Sequence, residues 1–303
     1  MAQPLKIGTR DSQLAVYQAK IVLDRLQVYG VEAELFPIKS EGDIDLATPL
    51  YEMGIQGIFT KSLDAALLAG RIDLAVHSLK DVPTRAAAGL DQAAVLERGN
   101  YRDVLVKRLP DEEELPRADT QLVIATGSIR RRAQWLHRYP AHQMENLRGN
   151  VPTRLKKLAE SEWYGAIFAA AGLERINLKP RGAIELEWML PAPAQGAIVV
   201  MCRDDDHAAR AACAPLHHDH TALCVKIERD FLRTLLGGCS TPVGALAEIE
   251  GEELFFRGNI FSPDGKRMLE AEKILPAHRA DKIGVEAAKE LLQNGAADLI
   301  RLQ

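Results

Sequence analysis

The sequence predicts an α/β protein of more than one domain, and three observations carry that expectation. Strand-length apolar runs alternate with helical patterns through two successive series. The 303 residues, 47% of them hydrophobic, suffice for two or three cores. From about His220 the pattern changes to one long helix, a hairpin and a closing helix.

In the first series, "LKIGT" reads as a strand and "SQLAVYQAKIVLDRL" as a helix opened by Asp11 or Ser12. "AELFPI" is a second strand, and "TKSLDAALLAG" a helix with Thr60 as cap and Gly70 as stop. "IDLAVHS" is a continuous apolar run, suited to a strand covered on both faces. The second series begins near Arg102. There "QLVIAT" leads through Gly127-Ser128 into the helix "IRRRAQWLHRY", followed by the helix "VPTRLKKLAES" and the strand "YGAIFAA". The chain is expected to cross back near Ala197–Arg203, and the two series to form mostly parallel sheets. In the last region "ALCVKIERDFLRTLL" is a helix, and "ELFFRGNIFSPDGKRMLEAEKI" a hairpin around a Pro-Asp-Gly turn. "ADKIGVEAAKELLQNG" closes the chain as a helix.

Charged residues make up 26% and aromatics 5%, ordinary for a soluble globular chain. No apolar run reaches the roughly eighteen residues of a membrane span. The N-terminal stretch runs into a strand pattern rather than the apolar core of a signal peptide, so a cytoplasmic location is expected. Cys202, Cys213, Cys224 and Cys239 form no CxxC pair and no regular metal spacing, and read as free thiols of a reducing compartment. The run His217, His218, His220 lacks a second ligand cluster, so it reads as a solvated linker and no metal is expected.

The net charge of −4 hides an asymmetry. Val123–Arg181 holds eleven Lys/Arg against four acids, +7, which leaves −11 for the rest. Nucleic acid and an acidic small molecule both fit such a segment, although its few aromatics argue against stacking on single strands.

Three strand-to-helix junctions, "IGTRDS", "IATGSIRR" and "LRGNVPTR", combine small polar residues with arginine. Helix N-termini present free N–H groups to anions, and arginine forks match carboxylates two bonds at a time. Two readings stand at each: Ser12 and Ser128 as plain N-caps beside solvated arginines, or a site for a polycarboxylate or phosphate built with Arg10, Thr126, Arg130, Arg131, Arg148, Thr153 and Arg154. "AVHSLKDVPT" delivers His77, Ser78, Lys80 and Asp81 at the carboxyl end of a buried strand, where ligands of open α/β sheets sit. Asp81 there suits stabilising a cation or moving a proton; a Lys80–Asp81 surface pair with a core histidine is the other reading.

Together these stretches resemble the porphobilinogen deaminase family almost end to end. "IGTRDSQLAVYQ", "GIFTKSLDAALLAGRIDLAVHSLKDVPT", "SIRRRAQ", "LRGNVPTRLKKL", "AAAGLERI" and "LGGCSTPVGA" occur in the family's order and spacing. The resemblance implies an α/β fold of three domains, two periplasmic-binding-protein-like domains flanking a cleft plus a smaller one carrying the cofactor cysteine. The corresponding boundaries are 1–98 with 198–216, 99–197, and 217–303. It implies a monomeric, cytoplasmic transferase that joins four porphobilinogen units into a linear tetrapyrrole, releasing ammonia at each step. It also implies a dipyrromethane cofactor bound by a thioether to Cys239, in the Gly-Gly-Cys turn. Its partners would be porphobilinogen and the growing pyrrole chain, with neither nucleic acid nor membrane. The many carboxylates of that chain would account for the arginine excess.

By position, Asp81 matches the family's catalytic aspartate, which stabilises the azafulvene cation formed as ammonia leaves. Arg10, Ser12, Ser78, Lys80, Arg98, Thr126, Ser128, Arg130, Arg131, Arg148, Arg154, Arg175 and Gln195 match positions that hold cofactor and substrate. Phe59 matches an aromatic beside the reacting ring. The sequence departs from the family at Ile55-Gln56-Gly57, where Gly-Lys-Gly is usual, and at Gly127, which replaces a serine. Ala194 replaces a glycine at the crossing, Met201 replaces an acid, and Gly99-Asn100 replace an acidic stretch. Two rival functions predict different behaviour: a non-catalytic polyanion binder forms no covalent adduct, and a nucleic-acid binder loses affinity steeply with salt.

Overall fold

The computed structural model describes residues 3–39, 60–109, 115–117, 119–235 and 241–301; Phe59, Cys239 and the Ile55-Gln56-Gly57 departure lie outside them. The chain forms two compact units. The first combines the residues up to Gly99 with Gly196–Ala222, apart from Leu46–Gly54; the second combines Asn100–Gln195 with Leu223 onward. No helix among the described residues is long and apolar enough to cross a membrane.

The chain opens with β1 (Leu5–Arg10), α1 (Gln13–Val28), β2 (Ala33–Ile38), α2 (Lys61–Leu68) and β3 (Leu74–Ser78). A 3-10 turn at Leu79–Asp81 leads on to β4 (Leu90–Val95). In α1 the buried positions Ala15, Gln18, Ala19, Val22 and Leu26 recur every three or four residues, giving one core-facing stripe. Leu74 to His77 of β3 are all buried, because α1 and α2 both pack on this strand. Gly70 ends α2 with φ +65°, the left-handed conformation glycine adopts without penalty.

The second unit begins with β5 (Asp103–Lys107), β6 (Val123–Ala125), α3 (Ile129–Arg138), β7 (Gln143–Glu145) and α4 (Val151–Ala159). It continues through β8 (Gly165–Ala169), α5 (Ala170–Glu174) and β9 (Ile184–Glu185). The chain then returns to the first unit as β10 (Ile198–Arg203) and α6 (His207–Cys213). Last come α7 (Asp219–Thr234), β11 (Val243–Glu250), β12 (Glu253–Phe261), β13 (Met268–Pro276), α8 (Ile283–Gln293) and α9 (Ala296–Arg301).

The two five-stranded sheets share one plan. Their orders are β2-β1-β3-β10-β4 and β7-β6-β8-β5-β9, each a parallel triplet followed by an antiparallel strand from another part of the chain. The expectation of mostly parallel sheets is therefore corrected, since parallel and antiparallel pairs are equally frequent in each. β10 pairs antiparallel with both β3 and β4, and β5 with both β8 and β9. Neither inserted strand follows its neighbour through a crossover helix, the connection that parallel pairing requires.

The predicted hairpin is β12–β13, with Phe261 opposite Met268 across the Pro263-Asp264-Gly265 turn. It is joined by β11, whose small residues give no strand alternation in the sequence. Phe231 of α7 meets Phe256 of β12 edge-on at 5.3 Å between ring centroids, within a core shared with Ile227, Ile260, Ala287 and Leu291. Each such fully buried large side chain contributes about 1.5–3 kcal/mol over leaving it exposed. The histidine run is not a plain linker: His218 Nδ1 accepts the Thr221 N–H at the start of α7, and His217 Nδ1 accepts the Val95 N–H.

Candidate active site

In the first unit the anion-binding candidates lie at the carboxyl ends of β1 and β3. Arg10 is the last residue of β1 and Ser12 the residue before α1. Ser12 makes no side-chain capping bond, so the first turn of α1 keeps its N–H groups uncapped by that hydroxyl. Ser78 closes β3, and its hydroxyl is held by the Gln18 amide at 2.8 Å. Lys80 and Asp81 occupy the 3-10 turn that follows. Asp81 is half-buried, and among the described residues its carboxylate makes no hydrogen bond or ion pair. Arg98 follows β4, its backbone N–H fixed by the Thr221 hydroxyl at 3.1 Å.

His77, one residue before Ser78, is 5% exposed, and its Nε2 has no hydrogen-bond partner among the described residues. Burial, reinforced by the nearby Arg10 guanidinium, lowers its pKa to about 4, so the ring is neutral near pH 7.

In the second unit the "IATGSIRR" junction is a buried polar cluster. Arg130 and Arg131, from the first turn of α3, converge on Asp103 at the start of β5. Arg130 Nη1 donates to Asp103 Oδ2 at 2.7 Å, and Arg131 donates through Nε and Nη2 to Oδ1 at 3.0 and 2.7 Å. Gln195 Nε2 donates to the same Oδ1 at 2.9 Å and to the Tyr101 carbonyl at 2.7 Å. Burial alone would raise the Asp103 pKa, but the two guanidiniums hold it well below the usual carboxylate range. Arg130, Arg131 and Gln195, three residues assigned by resemblance to ligand contacts, are thus joined by an internal carboxylate.

Thr126 is buried and accepts the Ser128 N–H at 3.2 Å. Ser128 caps α3 weakly, at 3.5 Å from the Arg131 N–H. A Cβ on Gly127 would lie 2.5 Å from the Leu147 carbonyl oxygen, so the backbone passes too close there for a side chain without a shift. The "LRGNVPTR" junction is capped by Asn150, whose Oδ1 accepts both the N–H and the hydroxyl of Thr153. Gly149 precedes it at φ +114°. Arg148 is buried, and Arg154 Nε donates to the Gly149 carbonyl at 2.7 Å. Arg175 ends α5. Lys179 pairs with Glu174 and Glu185 at 2.8 and 3.1 Å, neutralising another part of the positive excess.

The crossing residue Ala194 is fully buried at φ +64°, a conformation that glycine adopts freely and alanine does not. Its N–H donates to Glu228 Oε2 at 2.6 Å. Sequence reasoning missed both Asp103 and Glu228. The available signal for Glu228 was the spacing Cys224, Glu228, Phe231, Leu235, which puts it on the core stripe of α7. Cys202, Cys213 and Cys224 are buried and in no disulfide, and burial pushes the Cys213 thiol up to about 12.

The family model for the porphobilinogen deaminase dipyrromethane cofactor-binding domain matches residues 5–211, and that for the porphobilinogen deaminase C-terminal domain matches residues 222–293. Among solved structures, the Bordetella pertussis BvgS periplasmic VFT2 domain is 14% identical, with a TM-score of 0.43 over 72% of this chain and 90% of that one. An ancestral cationic amino acid solute binding protein is 10% identical, with a TM-score of 0.44 over 70% of this chain and 87% of that one.

Proposed function

Because the chain belongs to the porphobilinogen deaminase family, transferases of tetrapyrrole synthesis, and carries its dipyrromethane cofactor-binding domain, we propose that it is a hydroxymethylbilane synthase. It joins four porphobilinogen units, releases ammonia at each addition and then frees the linear tetrapyrrole by hydrolysis. Cys239 would hold the dipyrromethane through a thioether, and the group would supply a pyrrole carbon as the acceptor for the first unit. Within the first unit the donors fit a group rich in carboxylates: the Ser12 hydroxyl leaves α1 uncapped, Arg10 ends β1 and Lys80 follows β3. In the second unit Arg148 and Arg154 lie by the N-terminus of α4, and Arg98 and Arg175 are further contacts in the same proposal.

The observation that supports this reading best is Asp81, a half-buried carboxylate with no hydrogen bond or ion pair among the described residues, in the turn after a buried strand. Its negative charge stabilises the cation left on porphobilinogen as ammonia departs, and accepts N–H bonds from a pyrrole ring. The same carboxylate accepts the proton whose loss restores the aromatic ring. Ser78 and Thr126 offer hydroxyls to carboxylate groups, whereas Arg130, Arg131 and Gln195 act chiefly by holding the α3 junction in shape through Asp103.

Asp81→Asn is expected to keep the covalent cofactor and lose nearly all turnover; substantial ammonia release by that variant would sink the assigned role. Intact-protein mass spectrometry of protein from a porphobilinogen-producing cell should show a dipyrromethane addition that is absent from Cys239→Ser. An unmodified wild-type mass would refute the attachment.

A further inference from the structure

Glu228 is a buried carboxylate with work outside the chemistry assigned above. It lies on the core side of α7 and is 0% exposed. Its two oxygens accept backbone N–H groups from two different segments of the second unit: Ala194 donates to Oε2 at 2.6 Å, and Ala247 to Oε1 at 2.8 Å.

Ala247 belongs to β11, an edge strand among the described residues, with β12 on its only paired side. The outward N–H groups of an edge strand need acceptors when they are buried. The Ala245 N–H is accepted by the Pro191 carbonyl at 3.1 Å and the Ala247 N–H by Glu228. Segment 191–194 and the α7 carboxylate therefore close this edge together. The left-handed conformation of Ala194 belongs to the same arrangement, since its N–H is the one Glu228 receives. The next residue, Gln195, is held by Asp103, which also holds Arg130 and Arg131.

α7 ends at Thr234 and β11 begins at Val243, and Cys239 lies between them in the sequence. One side chain thus bonds the element entering that stretch to the element leaving it, and registers both on the 191–194 segment. We infer that Glu228 is a positioning residue for the covalent anchor: it fixes the two flanks of the Cys239 stretch relative to each other and to the arginines of α3. The inference rests on the reading that Cys239 carries the dipyrromethane. A carboxylate suits the task because both oxygens accept. A glutamine has one acceptor oxygen and would turn its amide N–H groups toward a backbone donor.

The test is Glu228→Gln in the holoenzyme, compared with wild type. The Cys239 adduct should be present in full by intact mass, kcat should fall about tenfold and KM should stay within about twofold. With limiting porphobilinogen, the ladder of elongated adducts on the variant should shift toward shorter chains. Hydrogen exchange should quicken in peptides spanning 191–195 and 243–249 and stay at wild-type rates in Asp103–Lys107. A wild-type ladder, with activity reduced only in proportion to the folded fraction, would overturn the inference. If Glu228→Gln does not fold, Glu228→Asp keeps the charge on a shorter arm; the same kcat loss and ladder shift support the role, and wild-type behaviour overturns it. A wild-type protein with no adduct on Cys239 would instead overturn the attachment reading, and the inference with it.

Discussion

Arg131 donates twice to a single oxygen of Asp103, through Nε at 3.0 Å and Nη2 at 2.7 Å, while Arg130 donates to the other oxygen. All three side chains are buried, so the cluster is a charged knot inside the second unit. Breaking a buried ion pair from one side leaves the other charge uncompensated, which costs about 3–5 kcal/mol. Asp103→Asn is therefore expected to lower unfolding stability by about that amount, as measured by urea titration. A loss below about 1 kcal/mol would show that the arginines find other acceptors.

The Asp103 pKa is depressed by its guanidinium partners, so the sign of its pH dependence is fixed. Its stabilisation is complete above the ordinary aspartate value of about 3.9 and is lost as pH falls toward the folded-state value. The acid limb of the stability curve should be shallower in Asp103→Asn than in wild type, in thermal scans below about pH 4.

Ala194 distinguishes backbone strain from lost packing. In the left-handed region Ala194→Gly removes about 1–2 kcal/mol of strain, but it also removes a buried methyl and frees the unfolded chain. Those effects nearly cancel, so Ala194→Gly should change stability by less than about 1 kcal/mol. Ala194→Val puts a β-branched side chain at φ +64° in a fully buried position and should lose more than about 2 kcal/mol. Equal losses in the two variants would count against the left-handed conformation.

His77 supplies a second pH dependence of known sign. Its folded pKa of about 4 lies below its unfolded value of about 6.5, so the unfolded chain takes up the proton first. Its stabilising contribution is whole above about pH 6.5 and declines as pH falls to about 4, by up to about 3 kcal/mol. His77→Gln cannot titrate and should flatten that part of the stability curve. Parallel wild-type and variant melting curves between pH 4 and 7 would refute the assignment.

The helices and most strands were legible because their periodicity is local: the stripe of α1 and the apolar run of β3 fall where their patterns put them. The return of the chain near Ala197–Arg203 was legible too, but the antiparallel direction of β5 and β10 was not, since it depends on neighbours distant in sequence. The charge count across Val123–Arg181 pointed to an anion site but stopped short of Asp103, which takes up two of those arginines from outside the counted segment. Glu228 was hidden by its neighbours Lys226, Arg229 and Asp230, which make the stretch look solvated although residue 228 falls on the core stripe. At Gly127 the departure from the family's serine was visible in the sequence, whereas the close approach of the Leu147 carbonyl to that position came only with the fold.

Cys202, Cys213 and Cys224 are sealed in the folded chain, and the high pKa of Cys213 leaves almost no thiolate to react. Two of them belong to the first unit and one to the second. An alkylating reagent added during slow denaturation therefore acts as a stopwatch with two hands. The order in which these sulfurs take up label tells which half of the molecule lets go first.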